Sequence, residues 1–492
     1  MYSFVFCAIL LVASYFIYGK AIEKIVGVDE NNTTPAFRLE DGVDYMPLSK
    51  YKNFLVHFLN IAGLGPIFGA IQGALFGPAA FLWIVLGTIF IGSVHDFFSG
   101  FMSLRNDGLT MPNIISKYLG STVQKFIAII IILTGVLVAS TFATGAADLI
   151  ANLTNTPVLP WITIIFIYFL IATIFPVDKI IGKIYPIFGA LFLIMAVLMI
   201  GALILNPAYT IPEFTTQGLY LTDKSIFPYL FVTIACGAIS GFHASQSPIV
   251  ARCMKNEKDA RPVFFGAMVL EGLVALIWAA IAMAFFHGQP QLAVIYGATP
   301  SIAVNEMAVT LLGPIGLIFA IIGVVICPIT SGDTAFRSAR LIVAETFKLD
   351  QKKIKNRFIV TIPLLAIGGV LTWSAIVNDG GFQIIWRYFS WSNQTLAMIT
   401  LWVASAYLLK KGKYRFGSLL AAFPAAFMTA VTVTYILVAK EGFRIDNAVA
   451  YIIGISAAFV LFAFYMVMLV RSLKSRAAKA DSEKEDVDPE KE

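Results

Sequence analysis

Two stretches of the chain place polar side chains next to residues that interrupt helices, inside otherwise apolar sequence. The first runs from His57 to Gly69 and the second from Cys236 to Pro248. Proline and glycine make a continuous membrane helix costly, and freed backbone groups at membrane depth are tolerated where they line a cavity or bind a ligand. Packing through small residues is the alternative explanation. The substrate-binding candidates are the residues of these breaks and two later amides: Asn60, Gly63, Gly65, Ser240, Gly241, His243, Ser245, Asn393 and Gln394.

Ionisable side chains within apolar sequence indicate proton chemistry. Glu271 lies in the middle of the apolar run that follows the second stretch, and His243 lies inside that stretch. Protonation of a buried carboxylate avoids the cost of burying a charge, and imidazole exchanges a proton near physiological pH. We predict that His243, Glu271 and His57, which precedes the first break, couple transport to protons. A structural role for each of them stays open.

Two further pairs of residues are candidates for gating. His95 and Asp96 are neighbours toward the end of an apolar run. Because adjacent helix positions do not share a face, we expect them to have different partners. Asp333 and Arg337 lie one helical turn apart, a spacing that predicts an ion pair. A purely structural tie is the alternative for both pairs.

These residues must be positioned by membrane helices. The chain has 492 residues, of which 59% are hydrophobic and only 13% are charged, against about 25% charged in soluble domains. The shortage extends along the chain, which excludes a soluble enzyme, a nucleic-acid-binding protein and a disordered protein. Runs long enough to cross a lipid bilayer predict an all-α polytopic membrane protein with about 13 transmembrane helices. His and Cys spacings typical of a metal site do not occur in the sequence.

The distribution of basic residues predicts how the chain is oriented. If the loops alternate between the two sides of the membrane, 25 of the 35 Lys and Arg residues fall on one side and 4 on the other. The remaining six lie in the C-terminal tail. By the positive-inside rule, the N-terminus is expected outside and the C-terminus in the cytoplasm.

The apolar runs also predict the domain organisation. The breaks fall in the second and seventh predicted spans, at about 54–75 and 226–250. These spans are five apart and therefore cross in opposite directions. Discontinuous helices at matching positions of two inverted repeats are typical of secondary transporters, whose half-helix ends bind anionic groups. We predict an N-terminal transmembrane helix at 1–25, five-helix repeats at 54–205 and 226–409, two C-terminal helices at 416–470 and a charged tail at 471–492. This arrangement suits a small anionic or zwitterionic substrate.

Eight motifs spread over most of the chain carry a resemblance to a known family. In order, they are Asp41-Gly-Val-Asp44-Tyr45, the segment His57 to Gly69, Gly92-Ser-Val-His95-Asp96-Phe97, Ser240-Gly-Phe-His243, Asp259-Ala-Arg261-Pro262, Gly266-Ala-Met268-Val-Leu-Glu271, Ser331-Gly-Asp333-Thr334-Ala-Phe-Arg337 and Asn393-Gln394-Thr-Leu-Ala. With them the chain resembles a short member of the carbon starvation protein A family. That resemblance implies proton-driven uptake of peptides or pyruvate across a bacterial or archaeal plasma membrane during carbon limitation. Longer relatives carry additional C-terminal spans, and a substrate-selecting element within them would leave the substrate of this chain open.

A second resemblance concerns the core. Asn60-Ile-Ala-Gly63-Leu-Gly65 resembles the unwound first core helix of sodium-coupled neurotransmitter-type symporters, within the amino acid–polyamine–organocation superfamily. That resemblance implies a sodium site formed partly by a pair of hydroxyls, for which Thr330 and Ser331 are the candidates. The alternative is that these hydroxyls bond back to their own helix. We expect H⁺ rather than Na⁺ as the coupling ion, and no other cofactor.

The leading interpretation is therefore an ion-coupled importer of pyruvate or short peptides rather than an enzyme. A membrane-embedded metal-dependent hydrolase using His57, His95, Asp96 and His243 is one alternative, although the sequence carries none of the usual signatures, such as HExxH. A channel is another, although two oppositely directed breaks suit alternating access better. The choice of substrate and the oligomeric state stay open.

Overall fold

The protein is all-helical over the residues that the structure describes. The computed structural model describes residues 1–42, 44–175, 177–214, 224–287, 292–293, 300–378, 380–411 and 415–485. Within these ranges, extended backbone pairs only at an isolated bridge between Leu48 and Met254. The predicted fold class, an all-α polytopic membrane protein, is confirmed.

The α-helices with bounds in the described ranges are numbered in chain order. They are α1 (Tyr2–Val26), α2 (Pro35–Arg38), α3 (Lys50–Ile61), α4 (Ala70–Gly73), α5 (Ala79–Gly87), α6 (Ser93–Leu104), α7 (Met111–Leu119), α8 (Ser121–Thr154), α9 (Val158–Ile174), α10 (Val177–Leu205), α11 (Ile226–Thr233), α12 (His243–Ala251), α13 (Ala267–Phe285), α14 (Pro300–Phe319), α15 (Ile326–Thr346), α16 (Ile354–Val377), α17 (Gly381–Lys411), α18 (Leu419–Val438) and α19 (Asn447–Glu485). π-Helical segments lie at Gly65–Gly69, Thr88–Gly92, Arg261–Gly266 and Ala320–Val325, and 3₁₀ turns at Ala74–Phe76, Glu257–Asp259 and Arg415–Ser418.

Membrane-spanning capacity is spread over the whole chain. Within the described residues, eight helices are long and apolar enough to cross a membrane, or nine when a bent pair counts as one span. The helix Val158–Ile174 is apolar but shorter. The number of thirteen spans, the two five-helix repeats and the orientation of the termini stay predictions.

The first break divides a span into Lys50–Ile61 and Gly65–Phe76, which meet at a bend of 54°. We call these two halves the first broken helix. Pro66 lies in the first turn of the second half, where its missing N–H costs nothing. A Cβ at Gly65 would lie 1.9 Å from the Cβ of Cys236, so only glycine permits this contact. The two breaks therefore touch each other.

The second break separates α11 from α12, and we call these two helices the second broken helix. Residues 234–242 lie outside regular helix, and Gly237 adopts φ +89°, a conformation that favours glycine. Side chains of two other elements hold this loop. The N–H of Gly237 donates to Glu271 Oε1 at 3.1 Å, and its carbonyl oxygen accepts from Thr88 Oγ1 at 2.9 Å.

The helix that carries Asp333 and Arg337 is longer than predicted. The apolar run at about 308–331 predicts a span that ends before Asp333. Instead, α14 is kinked at Gly313 with φ +60°, and α15 continues to Thr346. Asp333 and Arg337 are buried within α15. Because their polar groups bond to other helices, they do not end the helix.

The core and the periphery differ strongly in burial. The most apolar windows of Ala79–Leu104 and Glu257–Phe285 are 83% buried. The corresponding windows of Tyr2–Val26 and Asn447–Ser475 are only 28% and 22% buried. The two buried segments carry Thr88 and Glu271, which hold the second break, whereas α1 and α19 present apolar surface to lipid.

Candidate functional site

Four ionisable side chains form a connected chain where the second broken helix meets α6 and α13. Asp96 Oδ1 lies 2.8 Å from His95 Nδ1, and Asp96 Oδ2 lies 2.9 Å from His243 Nδ1. His243 Nε2 in turn lies 3.6 Å from Glu271 Oε2. All four side chains are fully buried. The structure thus brings predicted proton-coupling and gating residues into one cluster.

The contact between His95 and Asp96 corrects one expectation. Neighbouring helix positions were expected to need different partners, and this is wrong. Nδ1 is the imidazole nitrogen nearer the backbone, and the aspartate side chain is short, so the two groups meet beside α6 at 2.8 Å. Asp96 also has the distant partner His243.

The hydrogen bonds of Asp96 determine which nitrogen of His243 carries a proton. An ionised carboxylate only accepts hydrogen bonds, so His243 Nδ1 is the donor, a tautomer assigned from the bonding pattern. In the neutral imidazole, Nε2 is then a lone pair that faces Glu271 Oε2. Two lone pairs repel each other, whereas one proton on either atom makes the contact favourable. At 3.6 Å the two atoms do not form a hydrogen bond, so this contact is a candidate place for one exchangeable proton.

Asn393 on α17 holds the loop of the second break. Its Oδ1 accepts from the N–H of Phe242 at 2.8 Å, and its Nδ2 donates to Ser240 Oγ at 2.9 Å. A Cβ at Gly241 would lie 2.2 Å from the Asn393 carbonyl oxygen, so the glycine allows α17 to approach. Three of the predicted substrate-binding residues thus lie together, and they fasten the break to α17.

The remaining candidates from that set also make contacts within the protein. Gln394 Nε2 donates to the Phe231 carbonyl oxygen at 2.8 Å, and Ser245 Oγ donates to the Phe242 carbonyl oxygen at 2.6 Å. A Cβ at Gly63 would lie 2.2 Å from the ring of Phe142. These contacts stabilise the two breaks, and a substrate role for these residues stays a prediction.

Asn60 in the first broken helix lies in a second polar cluster, where the Thr334 hydroxyl also donates to the Thr330 carbonyl oxygen at 2.7 Å. Thr334 Oγ1 lies 3.0 Å from Asn60 Oδ1 and 3.0 Å from Asp333 Oδ1. Tyr168 OH donates to Asp333 Oδ2 at 2.7 Å, and Tyr185 OH donates to the same oxygen. Neither tyrosine was singled out from the sequence, because nothing in an apolar run indicates which residue faces a buried carboxylate.

Arg337 does not form the predicted ion pair. Its Nη2 donates to the Phe175 carbonyl oxygen at 2.8 Å and to that of Ala172. Asp333 and Arg337 are not among the pairs of opposite charges that lie within 4 Å of each other in the described part of the chain. Both carbonyls lie at the C-terminal end of α9, where a cation is favoured by the helix dipole. Arg337 therefore fastens α9 to α15.

The predicted sodium ligands bond to the protein itself. Ser331 Oγ donates to the Leu59 carbonyl oxygen at 3.1 Å, whereas Thr330 Oγ1 donates to the Cys327 carbonyl oxygen on its own helix at 2.7 Å. The thiol of Cys327 donates to the Ala62 carbonyl oxygen at 3.0 Å. These bonds link α15 to the end of the first half of the first broken helix.

His57 lies outside the four-residue chain. Its ring packs edge-on against Phe264, with 5.0 Å between centroids. Both ring nitrogens are buried and have no hydrogen-bond partner in the part of the chain that the structure describes. Its predicted role in proton coupling is neither supported nor opposed by these contacts.

Cys236 is a member of the site that the sequence reasoning did not single out. Its Sγ and the ligand atoms of His243 and Glu271 all lie within 4.8 Å of one another, a spacing that a metal ion could bridge. A structural zinc site takes four ligands, and the Cys236 thiol donates to Ser240 Oγ at 3.2 Å. This trio of described residues is therefore not a complete structural metal centre. The position of Cys236 next to Gly237 in the break is the sequence signal that could have identified this residue as part of the site.

The fold and the site together indicate a membrane transporter built on discontinuous helices, because two broken helices touch beside a buried acid–imidazole cluster. The solved structure of MhsT in complex with L-phenylalanine has a similar fold, with a TM-score of 0.56, 15% identity and coverage of 86% of this chain and 99% of that one. A mutant of the Eremococcus coleocola manganese transporter gives a TM-score of 0.51, with 11% identity over 88% of this chain and 99% of that one.

The chain belongs to the carbon starvation protein CstA family, whose model matches residues 1–158, 145–313 and 287–435. An uncharacterized membrane protein of Haemophilus influenzae is 42% identical over 58% of this chain and 92% of its own length. The peptide transporter CstA of Bacillus subtilis is 27% identical over 87% of this chain and 88% of its own. The pyruvate/proton symporter BtsT of Escherichia coli is 27% identical over 55% of this chain and 47% of its own.

Proposed function

We propose that the protein is a secondary active transporter that imports pyruvate or short peptides together with protons during carbon limitation. The observation that carries this proposal is the buried 3.6 Å contact between His243 and Glu271, beside the contact between the two broken helices. We propose that this pair shares one proton. We further propose that the protein lies in a bacterial or archaeal plasma membrane with its N-terminus outside and its C-terminus in the cytoplasm.

The proposed coupling acts through the backbone of the second break. Glu271 Oε1 accepts the N–H of Gly237 at 3.1 Å, and a hydrogen bond to an ionised carboxylate is stronger than one to a neutral carboxyl group. Loading a proton onto the pair therefore weakens the hold of α13 on the break, and releasing it strengthens that hold. Asp96 keeps His243 oriented toward Glu271 in both cases.

Sodium is the competing coupling ion, and Thr330 and Ser331 are its predicted ligands. The carbonyl oxygens of Leu59 and Ala62 accept from Ser331 and Cys327, and the Thr330 hydroxyl bonds to its own helix. Each hydroxyl acts as a donor and keeps its lone pairs, so these hydrogen bonds leave oxygen ligands for an ion. The proposed proton pair, by contrast, needs no additional ligand.

The proposed substrate class follows from chemistry that the substrates named for two relatives share. One relative is named a peptide transporter and another a pyruvate/proton symporter, and both kinds of substrate carry a carboxylate. The second half of the first broken helix begins at Gly65, and the N-terminal end of a helix attracts anions. Asn60 Nδ2, a buried donor without a hydrogen-bond partner in the described residues, lies in the preceding half. We propose this end as the carboxylate site.

Uptake into proteoliposomes tests the proposal. Radiolabelled pyruvate, other short carboxylates and di- and tripeptides are compared under an imposed pH gradient and under an imposed sodium gradient. We expect accumulation of at least one of these substrates with the pH gradient alone. Glu271→Gln, which cannot share a proton with His243, should abolish accumulation while leaving substrate binding measurable.

Glu306→Gln is the matched control, because Glu306 is an exposed carboxylate on α14. It should accumulate substrate as the wild type does. Accumulation that continues after both gradients are collapsed, or Glu271→Gln accumulating substrate at the wild-type level, would contradict the proposal. Accumulation driven only by the sodium gradient would replace protons by sodium as the coupling ion.

A further inference from the structure

A polar cleft lies where α1 ends, well away from the two breaks. Its volume is about 730 Å³, and it is lined by the last turns of α1, the start of α3 and the segment before α13. Arg261 lines the cleft, and the guanidinium of Arg261 lies 5.0 Å from the ring centre of Tyr15. This cleft takes no part in the contacts described for the candidate functional site.

The charges of the cleft leave an excess of cations. Five basic side chains line it, against three acidic ones, namely Lys20, Lys24, Lys50, Lys258 and Arg261 against Glu23, Glu30 and Asp259. Two of the acids are neutralised by pairs within the wall, because Arg261 lies 3.0 Å from Glu23 and Lys258 lies 3.0 Å from Glu30. Ion pairs within 4 Å among the described residues do not include the other three lysines. The cleft is therefore suited to an anion.

The surroundings of the cleft show what kind of anion fits. On α1, Lys20 and Lys24 follow Ile17 by three and seven residues and so share its side of the helix. Ile17 is 73% exposed and Phe16 is 56% exposed, which makes this side an apolar surface ending in two cations. A ligand that matches both parts has a phosphate headgroup and acyl chains. Basic pockets between membrane helices are known to bind such lipids.

We propose that this cleft binds the headgroup of an anionic phospholipid whose acyl chains lie along the exposed side of α1. The phosphate contacts Lys20, Lys24 and Lys50, which come from both α1 and α3. Because α3 is the first half of the first broken helix, the lipid joins the peripheral helix to a helix of the site. The site differs from the transport site in both its position and its ligand.

Native mass spectrometry of the full-length protein tests this proposal with phosphatidylglycerol as the probe and phosphatidylcholine as the zwitterionic reference. The wild type should retain phosphatidylglycerol preferentially. The variant Lys20→Gln/Lys24→Gln should bind it on the order of 10-fold more weakly, since each basic residue near a membrane surface contributes measurably to binding of anionic lipid. Lys50→Gln, from the other wall, should weaken binding in the same direction.

The matched control is Lys352→Gln/Lys353→Gln, which removes two exposed lysines from the loop between α15 and α16. It should retain the lipid as the wild type does. The proposal would be overturned if the control loses as much phosphatidylglycerol binding as the cleft variants do. It would also be overturned if the two cleft variants lose none. Adding inorganic phosphate in excess distinguishes a lipid headgroup from a free phosphate ion as the ligand of the cleft. Displacement of the lipid by phosphate alone would assign the cleft to a free anion and overturn the lipid assignment.

Discussion

Replacing Asp96 by asparagine tests whether this carboxylate sets the proton state of the His243–Glu271 pair. Asp96 accepts from His95 Nδ1 at 2.8 Å and from His243 Nδ1 at 2.9 Å. Asparagine offers one acceptor oxygen and one NH₂ donor at the same place. His243 Nδ1 lies close to both oxygens of Asp96, so its N–H faces the new NH₂ donor. His243 relieves this conflict when its proton moves from Nδ1 to Nε2.

The size of the effect follows from the hydrogen bond that is exchanged. With Nε2–H directed at Glu271, ionised Glu271 accepts it directly, and the pair no longer needs a shared proton. A hydrogen bond to a charged group contributes about 1.5 to 3 kcal/mol, and about 1.4 kcal/mol corresponds to one pH unit. Asp96→Asn should therefore lower the pH of half-maximal uptake by about 1 to 2 units.

The assay is uptake of the substrate identified in the proteoliposome panel, measured over a series of external pH values. Asp107→Asn is the control, because Asp107 is exposed and pairs with Arg38 at 2.6 Å. Asp107→Asn should keep the wild-type pH of half-maximal uptake. If Asp96→Asn lacks net uptake, substrate exchange is measured over the same pH series. An unchanged midpoint in folded Asp96→Asn would refute the proton assignment.

Two further predictions concern the contacts around the breaks. Gly65→Ala places a Cβ against the Cβ of Cys236, and we expect it to destabilise the protein by about 1 to 3 kcal/mol and to reduce uptake, whereas adding Cys236→Gly should restore both. Outside the spans, burial raises the pKa of the Cys253 thiol to about 12, so labelling by maleimide should be slow at pH 7 and rise about tenfold per pH unit, because the thiolate is the nucleophile. Glu345→Gln, which removes the 3.1 Å ion pair with Arg252, should speed this labelling.

Each of these predictions has its own check. Thermal unfolding in detergent and uptake follow the Gly65 series, and Cys236→Ala, which keeps its Cβ, should fail to restore either. Rescue by Cys236→Ala would show that the contact between the two Cβ atoms is not the cause. For Cys253, peptide mass spectrometry separates its labelling from that of the other cysteines. A labelling rate that does not change with pH would contradict the raised pKa.

The two breaks could be predicted from the sequence because their cause is local. Gly63, Gly65 and Pro66 in one span, and Gly237 and Gly241 in the other, interrupt helices through their own backbone properties. The helix boundary near Asp333 could not be predicted in the same way. Hydropathy treats a charged residue as the end of a span, whereas burial against other helices allows α15 to continue to Thr346.

The partners of the buried charges depend on how distant segments pack. Glu271 and His243 were predicted individually, but nothing in the sequence showed that Asp96 would join His95 to His243. Asp333 was expected to pair with Arg337 because they lie one turn apart, yet the phenols of Tyr168 and Tyr185 reach it from α9 and α10. Local spacing thus identified the groups that needed partners, whereas the tertiary structure determined which partners they have.

The proposal that His243 and Glu271 share a single proton has a consequence for the electrical character of transport. One proton carried with one pyruvate anion moves no net charge across the membrane, so its import would draw on the pH difference alone. One proton carried with a zwitterionic dipeptide moves one positive charge, and its import would also draw on the membrane potential. The same pair would thus make import electroneutral for one substrate class and electrogenic for the other.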